Sequence, residues 1–178
     1  LLNMTSEMEF SQNKNSEFQE FQDRGLTGLA NVGNTCFMNS AIQCLSNTLL
    51  LTDFFLTGSF KNSINRTKAE SKMVIDWNNL LNGIWDENCT VSPNTFLKTF
   101  RTLVKNKEFI GFKQNDVQEF LVFFIDTLHE GLSKEVNISI SGKVVNETDK
   151  MALEAMKTWK QHFKSSYSKI IELFYGQL

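Results

Sequence analysis

Along most of the chain, apolar positions recur at three- and four-residue spacing, with polar stretches between them. Phe37, Ala41, Ile42 and Leu45 predict a first helix from about Cys36 to Asn47. The apolar stretch from Leu49 to Leu56 follows and is expected to pack over the core. Met73, Trp77, Leu80, Leu81 and Ile84 form one stripe on a second helix from about Ala69 to Ile84, with Gly83 weakening its last turn. Ser92-Pro93 opens a third helix, with Ser as cap and Pro at the first helical position, and Phe96, Phe100, Leu103 and Val104 form its apolar face. The broadest apolar face belongs to a fourth helix from about Asn115 to Leu132. It carries Val117, Phe120, Leu121, Phe124, Ile125 and Leu128, is expected near the centre, and ends at Gly131. Val136 to Val145 alternates weakly and reads as a short exposed hairpin or an insertion. A fifth helix runs from about Asp149 to Phe163, its lysines forming a solvated face. Ile170 to Tyr175 reads as a helical turn leading into a strand. The fold class of the visible chain is thus mainly α.

Residues 1–24 are polar, with weak periodicity at Phe10, Phe18 and Phe21, and read as a flexible arm or a marginal helix. The ordered part is expected from Gly25 onward. With 178 residues, of which 16 are Phe, the chain can bury a sizeable core. Its net charge of −2 gives no basic field for nucleic acid. No run approaches the ~18 apolar residues of a membrane span. The three cysteines, Cys36, Cys44 and Cys89, are an odd, sparse set without a secretory signal, which points to a reducing compartment, cytoplasmic and/or nuclear.

Composition does not account for the stretch from Gly28 to Ser40. Gly28 and Gly33 permit backbone angles closed to other residues, and Asn31 and Asn34 tolerate the left-handed region. Thr35 or Asn34 serves as N-cap, so the loop delivers Cys36 to the first turn of a helix. There, free backbone N–H groups and the positive end of the dipole favour the thiolate, the form that attacks. Most cysteines of such chains are small buried hydrophobes, so the loop defines a candidate nucleophile and no more. At the start of the fourth helix, Gln114-Asn115-Asp116-Val117-Gln118-Glu119-Phe120 places Asp116 and Glu119 on one face. This is a helix-start pattern, or a small acidic site for a basic peptide.

Together these segments resemble the ubiquitin-specific proteases, papain-like cysteine deubiquitinases. Gly28 to Ser40, continuing through Ala41-Ile42-Gln43-Cys44-Leu45, is similar to the family's cysteine box. Gln114 to Phe120, with Leu128-His129-Glu130, is similar to its second segment. Trp159, His162, Ser168-Lys169-Ile170-Ile171 and Leu173-Phe174-Tyr175-Gly176-Gln177-Leu178 resemble the segment before its fingers. Phe37 stands where Tyr is usual, and Asn115 where Gln is common.

The resemblance implies that Cys36 is the nucleophile attacking the carbonyl of ubiquitin's C-terminal glycine. Asn31 would stabilise the oxyanion, and Gln114, Asp116 and Glu119 would hold ubiquitin's basic tail. The partners implied are ubiquitin and ubiquitinated proteins, with no nucleic acid and no membrane. A papain-like mechanism needs a base, and the chain's two histidines, His129 and His162, match no catalytic position. Residues 25–178 are therefore expected to be the N-terminal, helical thumb portion of a papain-like α+β catalytic domain, with the β-rich fingers and palm, the catalytic His and its Asp or Asn partner beyond residue 178. Such a portion is expected to be inactive by itself. No cofactor is expected in this chain, which has no CxxC pair, and a structural zinc would belong to the C-terminal half. The competing reading is a non-catalytic ubiquitin-binding or regulatory module.

Overall fold

The computed structural model describes residues 3–5, 22–104 and 116–176. Its elements in chain order are β1 (Asn3–Thr5), β2 (Gly28–Leu29), α1 (Cys36–Ser46), α2 (Leu49–Leu56), a 3-10 turn (Ser59–Asn62), α3 (Ser71–Trp85), β3 (Thr90–Val91), α4 (Asn94–Leu103), α5 (Val117–Leu132), β4 (Ser139–Ser141), α6 (Glu147–Phe163) and α7 (Lys169–Phe174). Helices dominate, as the spacing predicts.

The core forms where the apolar stripes meet. On α3, Met73, Val74, Trp77, Leu81 and Ile84 are fully buried; on α5, Phe120, Phe124, Leu128 and Leu132 are. Each set repeats at three or four residues, so one face of each helix is removed from water. Trp77 sits between them, its ring centroid 5.2 Å from Phe124, 6.3 Å from Phe55 on α2 and 6.4 Å from Phe96 on α4. Edge-on and tilted rings of this kind add to the area they bury. The apolar stretch from Leu49 is a helix whose Leu51, Phe54 and Phe55 close the core from the α1 side.

Two short parallel strands organise the amino-terminal side. Gly28 pairs with Thr90 and Leu29 with Val91. The approach to β2 is pinned on α3, where Arg24 donates through Nε and Nη2 to the Trp85 carbonyl at 3.0 and 2.8 Å. Gly25 lies against the same indole with a φ of +74°, and a Cβ there would meet the ring at 2.8 Å. Thr27 Oγ1 donates to the Glu87 carbonyl at 2.7 Å.

Several boundaries differ from the sequence expectation. The third helix begins at Asn94, and no side chain caps it, so the Ser92 cap is not formed. Ile170 to Tyr175 forms α7 and an extended residue after it, and Ser168 caps the helix by accepting from the Ile170 and Ile171 amides. The 136–145 stretch supplies β4, whose partner is β1 from the polar arm: Asn3 pairs with Ser141 and Thr5 with Ser139, antiparallel. Gly131 lies inside the last turn of the fourth helix, which ends at Leu132 as expected. It is glycine because α5 passes α3 closely there: a Cβ would lie 2.6 Å from Val74 Cγ2 and 3.0 Å from the Glu70 carbonyl oxygen. The sequence also suggests a loop over 108–113, centred on Gly111, and this stretch lies outside the described residues.

A second, smaller cluster of Ile138, Tyr167 and Ile171, with Val136, Trp159 and Phe163 against it, gathers the segments after α5. It joins the main core through α7, where Ile170 packs into the main cluster and Ile171 into the smaller one. Among the described residues no helix is long and apolar enough to cross a membrane.

Because the contact at Gly131 involves backbone as well as a side chain, it cannot relax by a rotamer change. Gly131→Ala is expected to destabilise the fold by about 1–3 kcal/mol, seen as a lower urea midpoint with an unchanged m value. A midpoint equal to wild type would show that α3 and α5 can separate freely.

Candidate functional site

The cysteine loop leaves β2 at Leu29 and turns sharply before α1. Gly33 has φ +106° and Asn34 φ +50°, left-handed conformations that suit Gly and Asn. The turn is held by the Asn31 carboxamide. Its Oδ1 accepts from the Thr35 amide at 3.0 Å, the Thr35 hydroxyl at 3.1 Å and the Gly33 amide at 3.3 Å. Thr35 Oγ1 in turn accepts from the Val32 amide at 3.2 Å.

Thr35 holds the N-cap position, but its hydroxyl is spent inside the loop and makes no cap bond to α1. Its carbonyl accepts the first helical bond, from the Asn39 amide at 2.8 Å. The first turn of α1, which begins at Cys36, therefore keeps its orphan N–H groups without a side-chain cap. Cys36 is exposed and a free thiol, as are Cys44 and Cys89. The Asn31 carboxamide, with its oxygen fully engaged, has no partner for its Nδ2 among the described residues, and the residue is exposed.

The acidic segment lies beside this loop. Phe37, the residue after Cys36, packs edge-on against Phe120, the residue after Glu119, at 5.9 Å between centroids. Helices α1 and α5 thus begin side by side at one end of the core. Asp116 caps α5: one carboxylate oxygen accepts from the Gln118 amide at 2.7 Å and the Glu119 amide at 3.2 Å. The helix-start reading of Asp116 is therefore correct in its geometry. Asp116 and Glu119 are both exposed. Gln114, the remaining residue of that group, lies outside the described residues.

A family model described as ubiquitin carboxyl-terminal hydrolase matches residues 27–178. The chain belongs to that family. Among its curated relatives, ubiquitin carboxyl-terminal hydrolase Usp2 of Drosophila melanogaster is 36% identical over 166 residues, covering 92% of this chain and 17% of the relative. Ubiquitin carboxyl-terminal hydrolase 32 of Homo sapiens is 37% identical over 164 residues, covering 88% and 10%. The chain thus spans less than a fifth of the length of these relatives. A solved structure of the SAGA Ubp8/Sgf11/Sus1/Sgf73 DUB module bound to ubiquitin aldehyde matches with a TM-score of 0.50 and 20% identity, covering 62% of this chain and 25% of that one. The likeness shows the fold: the helices correspond to the helical part of this papain-like hydrolase architecture.

The two histidines of the chain make their contacts elsewhere. His162 lies exposed in the last turn of α6, 4.6 Å edge-on from Phe163. His129, on α5, spans two serines: Nδ1 meets Ser168 Oγ at 2.8 Å and Nε2 meets Ser166 Oγ at 3.1 Å. Ser168 Oγ already accepts two α7 amides, so its hydroxyl hydrogen points at Nδ1 and the imidazole proton sits on Nε2. Burial lowers the His129 pKa from the usual 6.5. Lys68 adds to the shift, while Glu130 and Asp126 oppose it. The sequence marks His129 as non-catalytic but carries no local signal for this joint, whose partners lie 37 and 39 residues away.

Among the described residues no group of three or more His, Cys, Asp or Glu side chains is placed to hold a metal ion. A polar cleft of about 270 Å³ lined by Arg24, Leu56, Asn82, Gly83, Trp85 and Asp86 lies at the far end of α1 from Cys36. There Trp85 Nε1 donates to the Ser46 carbonyl at 3.0 Å, a helix length from the thiol.

The His129 joint fixes the sign of a pH effect. The folded imidazole resists a proton that the unfolded one takes up near pH 6.5, so its contribution is full above that pH and is lost as pH falls below it. The drop in urea midpoint between about pH 7.5 and about pH 5 should be smaller in His129→Gln than in wild type. Equal drops would place the acid sensitivity elsewhere.

Proposed function

We propose that this chain carries the nucleophile of a thiol-dependent deubiquitinase. The observation that carries the reading is the locked Asn31–Thr35 turn, which leaves an uncapped helix N-terminus at the exposed Cys36 thiol. Such a terminus presents N–H donors where negative charge develops. In this reading the Cys36 thiolate bonds to the carbonyl carbon of ubiquitin's terminal glycine. The Cys36 amide and Asn31 Nδ2 donate to the oxyanion. The amide C–N bond then breaks, the amine leaves with a proton from the general acid, and water hydrolyses the thioester.

Asp116 and Glu119, at the start of α5, are assigned to the basic tail of ubiquitin, with Gln114 beside them. Exposed acids next to the approach to the thiol would steer a cationic tail by simple electrostatics. Asp116 can cap α5 and still serve, because an ionised carboxylate has about four acceptor sites and the cap occupies one oxygen. The general base is assigned to residues beyond this chain, since His129 is engaged at both nitrogens and His162 sits edge-on to Phe163. Residues 25–178 are read as the thumb portion of the catalytic domain, preceded by the 1–24 arm.

Hydrolysis of a ubiquitin C-terminal fluorogenic amide by the full-length protein tests this. Cys36→Ser should abolish turnover, and Asn31→Ala should lower kcat by about 10²–10³-fold with KM little changed. The 178-residue chain alone should fall short of the full-length protein by on the order of 10⁴-fold or more, the usual consequence of losing the base. Ubiquitin binding without turnover, and without labelling of Cys36 by a thiol-reactive ubiquitin probe, would instead make this a non-catalytic ubiquitin-binding module.

A further inference from the structure

The segment 27–31 lies along α1, and its two edges are used differently. Even-numbered residues face β3: the Gly28 amide donates to the Cys89 carbonyl and the Ala30 amide to the Val91 carbonyl, both at 2.9 Å. The carbonyls of Thr27, Leu29 and Ala30 are reached from α1. The Thr27 carbonyl accepts from Gln43 Nε2 at 2.8 Å. The Leu29 carbonyl accepts from Asn39 Nδ2 at 3.4 Å, and the same group reaches the Ala30 carbonyl at 3.1 Å. Asn31 Oδ1 accepts from Thr35.

Gln43 and Asn39 on α1 thus hold the backbone at 27 and at 29–30, and Thr35, just before the helix, holds the Asn31 side chain. Four residues of helix rise ~6 Å and two residues of strand ~6.6 Å, so the two repeats stay in step over the whole segment.

We infer that Asn39 and Gln43 are positioning residues that act through Asn31, setting where its carboxamide stands relative to Cys36. The inference rests on the deubiquitinase reading for its kinetic consequence, though not for its geometry. Both side-chain NH2 groups are engaged by backbone carbonyls of the segment before the cysteine loop. The Asn39 amide is oriented by those carbonyls alone. Its Oδ1 is buried and has no hydrogen-bond partner among the described residues, and the reverse orientation would set oxygen against oxygen. A buried acceptor left without a partner costs stability, so what the residue contributes lies in its two donated bonds. Replacing it with leucine, of similar shape, removes those bonds together with the orphan.

The test uses the full-length protein with Asn39→Leu, Gln43→Met and Gln43→Lys, each alone and in an Asn31→Ala background. Asn39→Leu and Gln43→Met should each lower kcat by about 10- to 100-fold, the scale of a misplaced catalytic group, with KM within about twofold, as for loss of an interaction made only in the transition state. Gln43→Lys, whose ammonium also donates to the Thr27 carbonyl, should recover most of the loss. In the Asn31→Ala background the same substitutions should cost little more, because the group they position is gone. Hydrogen exchange of the Thr35 amide, which is bonded to Asn31 Oδ1, should quicken in Asn39→Leu and Gln43→Met. Wild-type kcat in both variants, or equal losses with and without Asn31, would overturn the inference. Absence of turnover in the wild-type protein would instead remove the deubiquitinase reading, and unchanged Thr35 exchange would then overturn the ladder by itself.

Discussion

The edge-on contact of Phe37 with Phe120 is the joint on which the candidate site depends. Phe120 also packs against Phe100 and Phe124, and through Phe124 against Trp77, so the residue following Cys36 is tied into the centre of the core. Close-packed interiors transmit position because they leave little room to adjust. The start of α1 is thereby held against the start of α5 by dispersion and burial, with no polar contact needed between the cysteine and the acids. Phe at position 37 makes this contact wholly apolar.

A second kind of constraint acts on the other side of the cysteine. Between Thr27 and Thr35 the chain is held by side-chain amides and hydroxyls, while the residues before it are clamped on Trp85 by Arg24. Hydrogen bonds are directional where apolar contacts are not. The fold thus uses packing to set where α1 starts and hydrogen bonding to set how the preceding loop is oriented. The Thr35 hydroxyl illustrates the trade: it stabilises the loop rather than capping the helix, a choice that leaves the helix terminus open.

The helices were readable in the residues because their signal is local. The stripe Met73, Trp77, Leu80, Leu81, Ile84 and the run Val117 to Leu128 are periodic within one element, and Asp116 announces its helix by being a cap. What was not readable depended on partners far along the chain. The pairing of β2 with β3 joins two-residue strands about sixty positions apart, too short to carry an alternation. Gly131 looks like a helix end until Val74 and Glu70 are placed against it. The cysteine loop stood out through its glycines and asparagines, yet Asn39 and Gln43 did not, because amides on a helix are ordinary in isolation. Their four-residue repeat with Thr35 was present in the residues, but its meaning required the strand alongside. Gln114 lies outside the described residues, so its assignment rests on the resemblance alone.

Adjacent residues of α7 serve different interiors, Ile170 the main core and Ile171 the small cluster of Ile138 and Tyr167. Ser168, which caps that helix, is also held by His129 on α5. The small cluster is therefore not a separable module. A six-residue helix cannot stay folded for one cluster while melting for the other, so the segment from Val136 onward is expected to share one cooperative transition with the helices around Trp77. Trimming the chain before α7 would open the main core at Ile170.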